Sequence, residues 1–169
     1  MRKIILFIAS SLDGYIAKND GSVDWLPANS LSGYDNFYKS VDTVMMGKKT
    51  YDQVLTFGPF PYVNKKSYVF TRNNTIQTDE NVQFANDVEK SVKYILSNPG
   101  KDIWLVGGSK IISVFMNLGF VDEIILSVIP TILGGGISLF RDMRNESKLE
   151  LIKTTDYGTL VELHYKILK

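Results

Sequence analysis

Four runs of the sequence are rich in β-branched or large apolar residues and show no helical period. They are residues 3–9 (KIILFIA), 42–46 (DTVMM), 66–71 (KSYVFT) and 103–106 (IWLV). Apolar runs of this length, bounded by polar or glycine residues, are typical of strands buried on both faces of a sheet. We therefore predict four central strands, each followed by a polar turn.

Helical spacing occurs between these strands. A short helix is predicted over residues 33–39, and a longer one follows Asp87, its predicted N-cap, and ends at residues 98–100 (Asn-Pro-Gly). Another helix is predicted to begin with Ser109 as its cap and to end at Gly119 in a left-handed conformation. The apolar positions of the two longer helices are Val88, Val92, Ile95 and Leu96, and Ile111, Phe115 and Leu118.

The order of these elements predicts an α/β fold. Strands that alternate with helices form parallel sheets whose faces are both covered by helices. Near the C-terminus, residues 149–153 and 161–167 alternate between apolar and polar side chains on either side of an Asp-Tyr-Gly turn, which predicts an antiparallel hairpin. We predict a single domain over residues 1–169, a three-layer αβα arrangement around a mixed and mostly parallel sheet.

Composition excludes several kinds of chemistry. The 169 residues include no cysteine and one histidine, His164, so thiolate nucleophiles, iron–sulfur clusters and a polyhistidine metal site are excluded, and we expect no metal. The net charge of +1 offers no general attraction for nucleic acid or an anionic membrane. The first apolar run, residues 4–9, is too short to span a bilayer. We expect a soluble cytoplasmic protein that acts on a small molecule.

The carboxyl ends of the parallel strands are where ligands bind in such sheets, and three of them carry groups suited to phosphate. Gly47 is followed by Lys48, Lys49 and Thr50 in the first turn of a predicted helix, where free amides and the helix dipole favour anions. A solvated helix start explains this stretch equally well. After the third strand, Thr71-Arg72 offers a hydroxyl and a guanidinium, although a single surface arginine is common.

After the fourth strand, Gly107-Gly108 leaves room for a ligand beside the backbone, or forms a tight turn before Ser109 and Lys110. Together the three strand ends favour a phosphorylated dinucleotide across the sheet edge. Neither Gly-x-Gly-x-x-Gly after the first strand nor a P-loop motif is present, and residues 134–136 (Gly-Gly-Gly) are interpreted as a loop between strands.

The motifs of the chain resemble those of the dihydrofolate-reductase-like superfamily, and more closely the reductase domain of the bacterial riboflavin-biosynthesis deaminase/reductase. The resemblance covers nearly the whole chain. It rests on residues 10–17 (SSLDGYIA), Trp25, residues 46–51 (MGKKTY), 107–109 (GGS), 119–124 (GFVDEI), Pro130 and 133–136 (LGGG).

This resemblance implies an NADPH-dependent reductase with a mixed sheet of about eight strands. It places the cofactor phosphates at Gly47, Lys48, Lys49 and Thr50, the adenosine 2′-phosphate at Thr71 and Arg72, and the carboxamide at the backbone of Ala9. The pyrophosphate and nicotinamide side is assigned to Gly107, Gly108, Ser109, Lys110 and Ile111. It also implies a homodimer, with an interface over residues 124–137.

The implied reaction is hydride transfer to a small heterocycle or a carbonyl or imine, similar to that of 5-amino-6-(5-phosphoribosylamino)uracil reductase. Asp13 is the predicted catalytic residue, orienting or protonating the substrate, or else an ordinary turn aspartate before Gly14. Ser11, Trp25 and Asp35 are predicted to bind substrate. A true dihydrofolate reductase and a nucleotide-binding module without turnover remain alternatives. Asp122, Glu123 and His164 are expected to have no catalytic role.

Overall fold

A computed structural model describes residues 1–27, 33–73 and 79–169. The strands are β1 (Ile4–Ser11), β2 (Tyr15–Ala17), β3 (Val41–Gly47), β4 (Lys66–Phe70), β5 (Gln83–Ala85), β6 (Asp102–Gly107), β7 (Glu123–Ile129), β8 (Ile137–Ser138), β9 (Leu149–Asp156) and β10 (Val161–Ile167). The helices are α1 (Tyr34–Ser40), α2 (Lys48–Thr56), α3 (Val88–Ser97) and α4 (Ser109–Asn117).

Eight of these strands form one mixed sheet in the order β5-β4-β3-β6-β1-β7-β10-β9. The neighbours from β5 to β7 are parallel, and β10 is antiparallel to both β7 and β9. Strands β2 and β8 form a separate antiparallel pair. The predicted α/β fold is confirmed, together with the four central strands and the C-terminal hairpin. Because β1, β3, β4 and β6 are parallel, their carboxyl ends lie at one edge of the sheet.

The central strands are mostly apolar because both faces of the sheet are buried. Along β1, Ile4 and Leu6 belong to one hydrophobic cluster, while Ile5 and Phe7 belong to the other. Successive side chains of a strand point to opposite faces, so a strand with two covered faces needs apolar residues at every position. Helices α3 and α4 contribute to the first cluster, and α1 and α2 contribute to the second.

Most predicted helix ends are confirmed, with one exception. Asp87 accepts a hydrogen bond from the Lys90 backbone N–H at 2.9 Å, and Gly119 has a φ of +69° after α4. The prediction for Ser109 was wrong: Gly108 is the N-cap and Ser109 is the first helical residue. The Ser109 hydroxyl donates to the Ser138 carbonyl at 2.5 Å, because β8 lies against the start of α4.

The acids excluded from catalysis lie at the opposite edge of the sheet from the strand ends of interest. Glu123 contacts Lys3 Nζ at 2.6 Å and His164 Nε2 at 2.9 Å. Asp122 accepts a hydrogen bond from the Ile4 backbone N–H at 2.9 Å. His164 is therefore a half-buried partner of Glu123 and not a simple solvent-facing residue, because β10 pairs directly with β7.

Strand β7 is hydrogen-bonded on both sides, to β1 and to β10. Residues 123–129 therefore do not form an edge of the sheet, although they begin the segment where a dimer interface was expected. The homodimer stays a prediction. Among the described residues, no helix has both the length and the apolar character needed to cross a membrane.

Candidate functional site

Two of the three candidate strand ends, the two that contain glycine, meet at one place. Strands β3 and β6 are neighbours, and Met46 is paired in register with Gly107. A Cβ atom at Gly108 would lie 3.1 Å from Thr50 Oγ1, and one at Gly47 would lie 3.7 Å from the Ile111 Cβ. The turns that lead into α2 and α4 are therefore packed closely, with the side chains of Thr50 and Ile111 against the two glycines. We call this arrangement the glycine cradle; it comprises Gly47, Thr50, Gly107, Gly108 and Ile111.

The backbone of the glycine cradle is suited to an anion. Gly47 precedes α2 and Gly108 precedes α4, and neither helix start has a side-chain cap. The first amides of a helix lack intrahelical partners and carry the positive end of the helix dipole. Gly107 has a φ of +120°, a conformation that favours glycine, and its peptide bond to Gly108 is cis. Two uncapped helix N-termini thus lie side by side.

Lysine side chains flank the glycine cradle, and they differ in whether a carboxylate of the protein already pairs with their charge. Lys49 and Lys110 are exposed in the first turns of α2 and α4. Lys48, in contrast, forms an ion pair with Asp52 one helical turn away, and its ammonium lies 5.8 Å from the Tyr51 ring centre. The charge of Lys48 is already neutralised by a carboxylate, so Lys49 is the stronger candidate for contact with an anionic ligand.

The third strand end brings Arg72 to the same edge of the sheet. Phe70, the last residue of β4, is paired in register with Gly47, so the turn after it begins beside the start of α2. Thr71 donates its backbone N–H to the Ala85 carbonyl at 2.9 Å, and its hydroxyl accepts from the Asn73 N–H at 3.1 Å. Thr71 therefore shapes the turn from which the exposed Arg72 side chain extends.

A cleft of about 520 Å³ lies on the sheet face covered by α1 and α2. It shares strand β6 and helix α2 with the glycine cradle, since Trp104 and Val54 line its walls. We call it the aromatic cleft. Its lining residues are Phe7, Ile8, Ala9, Leu26, Tyr34, Val54, Phe57, Gly58, Pro59, Pro61, Tyr62 and Trp104.

Of the residues that line the cleft, only Ala9 is a site residue predicted from the sequence; none of the aromatic lining residues is among the predicted site residues. Trp104 donates its indole N–H to the Phe7 carbonyl at 3.0 Å, so this donor is occupied. Burial raises the pKa of Tyr34 to about 12 and also raises the pKa of Tyr62. Both phenols are therefore neutral near pH 7 and are polar side-chain groups on the lining. The signal that could have identified Tyr34 is an aromatic residue directly after Gly33, at the start of a helix.

Asp13 lies in the loop after β1 and binds the loop after β7 through hydrogen bonds. Its carboxylate accepts hydrogen bonds from the Ser11 hydroxyl at 2.6 Å and from the backbone N–H groups of Leu133 and Gly134 at 3.1 and 2.8 Å. The bond from Ser11 is the main cause that lowers the pKa of Asp13, and the two backbone N–H groups add to it. Asp13 is held as an anion, and the Ser11 hydroxyl is engaged with it.

The other predicted substrate residues lie outside the lining of the aromatic cleft. Asp35 is exposed on α1, whereas its neighbour Tyr34 lines the cleft. Adjacent helical residues point about 100° apart, so only one of the two can face the sheet. Similarly, Leu26 lines the cleft and Trp25 does not. The Trp25 indole N–H is buried and has no hydrogen-bond partner among the described residues.

Comparison with known proteins agrees with this architecture. The chain is 44% identical over 169 residues to YwjB of Bacillus subtilis strain 168, an uncharacterized protein, with 97% of each chain covered. A structure from Shewanella sp. PV-4, described as a riboflavin biosynthesis protein, superposes with a TM-score of 0.87 at 27% identity over 100% of both chains.

Two more distant structures share the fold. The Thermotoga maritima diaminohydroxyphosphoribosylaminopyrimidine deaminase/5-amino-6-(5-phosphoribosylamino)uracil reductase has a TM-score of 0.77 at 19% identity; 99% of this chain covers 57% of that one. Enterococcus faecalis dihydrofolate reductase, complexed with NADP(H), has a TM-score of 0.71 at 18% identity, with 99% and 97% of the chains covered.

The family assignment rests on sequence as well as on this shared fold. The profile of the RibD C-terminal domain matches residues 2–163, which is nearly the whole chain. The expected resemblance to dihydrofolate-reductase-like proteins of riboflavin biosynthesis is confirmed. The chain belongs to the RibD C-terminal domain family, whose members are reductase-like domains of riboflavin biosynthesis.

Proposed function

We propose that this protein is an NADPH-dependent reductase that transfers hydride to a small heterocycle, or to a carbonyl or imine carbon. The observation that carries the proposal is the glycine cradle, where two uncapped helix N-termini meet next to the aromatic cleft. A phosphorylated dinucleotide needs both an anion site and a neighbouring space for the ring that reacts. The membership of the RibD C-terminal domain family supports the same reaction class.

The groups present fit a dinucleotide phosphate. The first amides of α2 and α4, with the Thr50 hydroxyl, would hold the pyrophosphate, because Gly47 and Gly108 leave no Cβ in its way. Gly107 to Ile111 would continue toward the nicotinamide, and the Ala9 backbone, which lines the cleft, would meet the carboxamide. Bound NADPH would supply the hydride, and the protein would supply binding and alignment.

Charge near the adenosine end supports NADPH over NADH. Arg72 and Lys49 are exposed and lie on neighbouring elements, since β4 pairs with β3 and α2 follows β3 directly. A guanidinium binds a phosphate monoester in a forked geometry, and a lysine adds a point charge. NADH lacks the 2′-phosphate that these two cations would neutralise.

Asp13 acts in this proposal as a positioning residue. Its three hydrogen-bond donors stabilise the ionised carboxylate, so it is a poor source of a proton for the product. By holding residues 133–134 against the loop that follows β1, it fixes the end of the strand that carries Ala9. Water would then supply the proton to the reduced product.

The test is direct measurement of cofactor binding and turnover. Titration with NADPH, followed by its fluorescence, is expected to give saturable binding that is tighter than that of NADH. Stopped-flow absorbance would then follow NADPH oxidation with a panel of heterocyclic, carbonyl and imine acceptors. Absence of NADPH binding at millimolar concentration would refute the proposal.

The same experiment separates the alternatives. The resemblance to dihydrofolate reductase implies a substrate-binding acid on the first helix, but Asp35 is exposed and lies outside the cleft. Oxidation of NADPH by dihydrofolate, inhibited by methotrexate, would nevertheless establish that enzyme. A module without turnover would bind NADPH and show a thermal shift, with no oxidation by any acceptor.

A further inference from the structure

The aromatic cleft is lined without a charged side chain. All twelve lining residues are apolar, aromatic, glycine or proline. A charged group buried in an apolar site without a counter-ion loses its hydration without compensation. The cleft is therefore matched to an uncharged ligand.

Lys65, which contacts α1 behind this wall, is already bound within the protein. Lys65 Nζ donates to the backbone carbonyls of Tyr38 and Val41, both at 2.7 Å, and lies 4.0 Å from the Tyr38 ring centre. Tyr38 in turn stacks on Tyr34, with ring centres 5.5 Å apart. Burial lowers the pKa of Lys65. Lys65 thus supports the Tyr38 ring behind the wall. To contact a phosphate in the cleft, the Lys65 ammonium would have to give up these contacts.

The shape of the wall favours a planar ligand. The Trp104 ring meets Tyr62 at 5.3 Å and 84°, and it meets Tyr34 at 5.8 Å and 72°. Phe7 lies on the same face, with its ring centre 6.0 Å from that of Trp104. These edge-to-face contacts lock the rings against one another in the wall of the cleft. A fixed aromatic corner binds a conjugated ring better than a flexible polar chain.

Two phenols supply the polar recognition on this wall. Among the described residues, neither the Tyr34 nor the Tyr62 hydroxyl has a hydrogen-bond partner, whereas the Trp104 N–H is occupied by the Phe7 carbonyl. Both hydroxyls stay protonated because burial raises their pKa. Each can therefore donate to a carbonyl oxygen or a ring nitrogen of the ligand.

We propose that the substrate is a planar, uncharged and unphosphorylated ring compound whose hydrogen-bond acceptors are bound by Tyr34 and Tyr62. This inference rests on the proposed function and narrows its substrate class. It distinguishes the chain from the Thermotoga maritima reductase, whose name specifies a phosphoribosyl substrate. The distinction follows from the uncharged lining, which offers a phosphate no counter-ion.

Riboflavin and riboflavin 5′-phosphate are a suitable pair of probes, because they differ only in the phosphate group. Binding of each is measured by flavin fluorescence in the absence of any nicotinamide nucleotide. Riboflavin is expected to bind at least about tenfold more tightly, since the phosphate would be desolvated without a counter-ion. Equal or tighter binding of the phosphate, or no binding of riboflavin at about 1 mM, would overturn the inference.

Three conservative variants test the two hydroxyls. Tyr34→Phe and Tyr62→Phe are each expected to weaken riboflavin binding about fivefold, the effect of one neutral hydrogen bond. Tyr38→Phe is the matched control, because the Tyr38 hydroxyl faces the Pro61 carbonyl at 3.4 Å and does not line the cleft. If Tyr34→Phe and Tyr62→Phe both bind riboflavin as Tyr38→Phe does, the phenols do not recognise the ligand and the inference fails.

A charge added to the wall provides an independent gain-of-function test. Val54→Lys places an ammonium in the lining and is expected to reduce the preference for riboflavin over its phosphate by at least about fivefold. Leu55→Lys, on the exposed neighbouring position of α2, should leave the preference unchanged. An unchanged preference in Val54→Lys, with the fold verified by circular dichroism, would count against the uncharged cleft as the source of selectivity.

These outcomes are separable from those of the proposed function. Loss of NADPH binding with intact selectivity for riboflavin would refute the reductase and leave the ligand class in place. NADPH oxidation without selectivity against riboflavin 5′-phosphate would leave the reductase in place and refute the inferred ligand class.

Discussion

Asp13 Oδ2 accepts a hydrogen bond from the backbone N–H of Gly134 at 2.8 Å, and the two residues are 121 positions apart in the chain. The same carboxylate accepts from the Leu133 N–H through Oδ1. Two short motifs that the sequence shows as separate, Ser-Leu-Asp-Gly and Leu-Gly-Gly-Gly, are therefore one structural unit. The aspartate joins the loop after β1 to the loop after β7.

Asp13→Asn is expected to loosen this unit, because an amide cannot offer two acceptor oxygens to two N–H groups. Hydrogen exchange should become faster at residues 131–139, and Tm should fall. Asp20→Asn is the control, since Asp20 accepts only from Ser22 within its own turn among the described residues. Equal exchange rates at residues 131–139 in the two variants would contradict the linking role of Asp13.

Gly108→Ala tests the glycine cradle. The new Cβ would lie 3.1 Å from Thr50 Oγ1 and would narrow the space between α2 and α4. NADPH binding, measured by fluorescence titration, is expected to weaken at least about tenfold, or about 1.4 kcal/mol. Gly135→Ala is a matched control, because its Cβ would make only an ordinary contact of 3.8 Å with Asn19. Unaltered NADPH affinity in Gly108→Ala would place the cofactor elsewhere.

Arg72→Ala tests the choice between the two nicotinamide cofactors. Loss of a charged hydrogen bond to the 2′-phosphate should weaken NADPH binding by about 1.5–3 kcal/mol, with little effect on NADH. Isothermal titration calorimetry with both cofactors measures the difference. Arg144→Ala removes an exposed arginine from the loop after β8 and serves as the control. A parallel loss of NADPH and NADH affinity would argue against a contact with the 2′-phosphate.

Removal of the indole N–H should destabilise the protein more at Trp104 than at Trp25. Trp104→Phe removes the donor to the Phe7 carbonyl and part of a buried ring, so the free energy of unfolding should fall by about 2–4 kcal/mol. Trp25→Phe removes a buried N–H that has no partner among the described residues, and should cost less than about 1 kcal/mol. Urea unfolding compares the two variants, and equal losses would contradict this account.

The free energy of unfolding is expected to depend on pH through the ionisation of Glu123. Its hydrogen bonds with Lys3 and His164 outweigh the effect of burial and lower its pKa below the ordinary value of 4.5. A lowered folded-state pKa stabilises the protein above pH 4.5, and this contribution is lost as the pH falls through the folded-state value. Glu123→Gln should therefore reduce the free energy of unfolding by about 1–2 kcal/mol at pH 7.

The difference between Glu123→Gln and the unmodified protein should shrink as the pH falls from 4.5 through the folded-state pKa, because only below that pKa is the carboxyl protonated in both states of the unmodified chain. Denaturant unfolding over a pH series measures this convergence. Glu146→Gln, on an exposed loop position, should show no such pH-dependent difference. A constant difference for Glu123→Gln down to acidic pH would indicate that packing, and not ionisation, is responsible.

The order of strands and helices could be predicted because it depends on local patterns. The run 4–9 is apolar at consecutive positions, and only a strand covered on both faces needs such a pattern. Asp87 and Gly119 act within a few residues of the helix ends that they mark. The Ser109 cap failed for a non-local reason: its hydroxyl bonds to Ser138, 29 residues away.

The location of the candidate phosphate-binding residues could also be predicted. They follow strands β3, β4 and β6, and the parallel order of these strands places their carboxyl ends at one sheet edge. The sequence by itself determined the buried sheet, the helix start after Gly47 and the family. Only the tertiary structure decided that Asp13 is bound to Gly134, and that Tyr34 rather than Asp35 faces the cleft. Local patterns record which positions are buried, whereas the partner of a side chain depends on contacts between segments far apart in the chain.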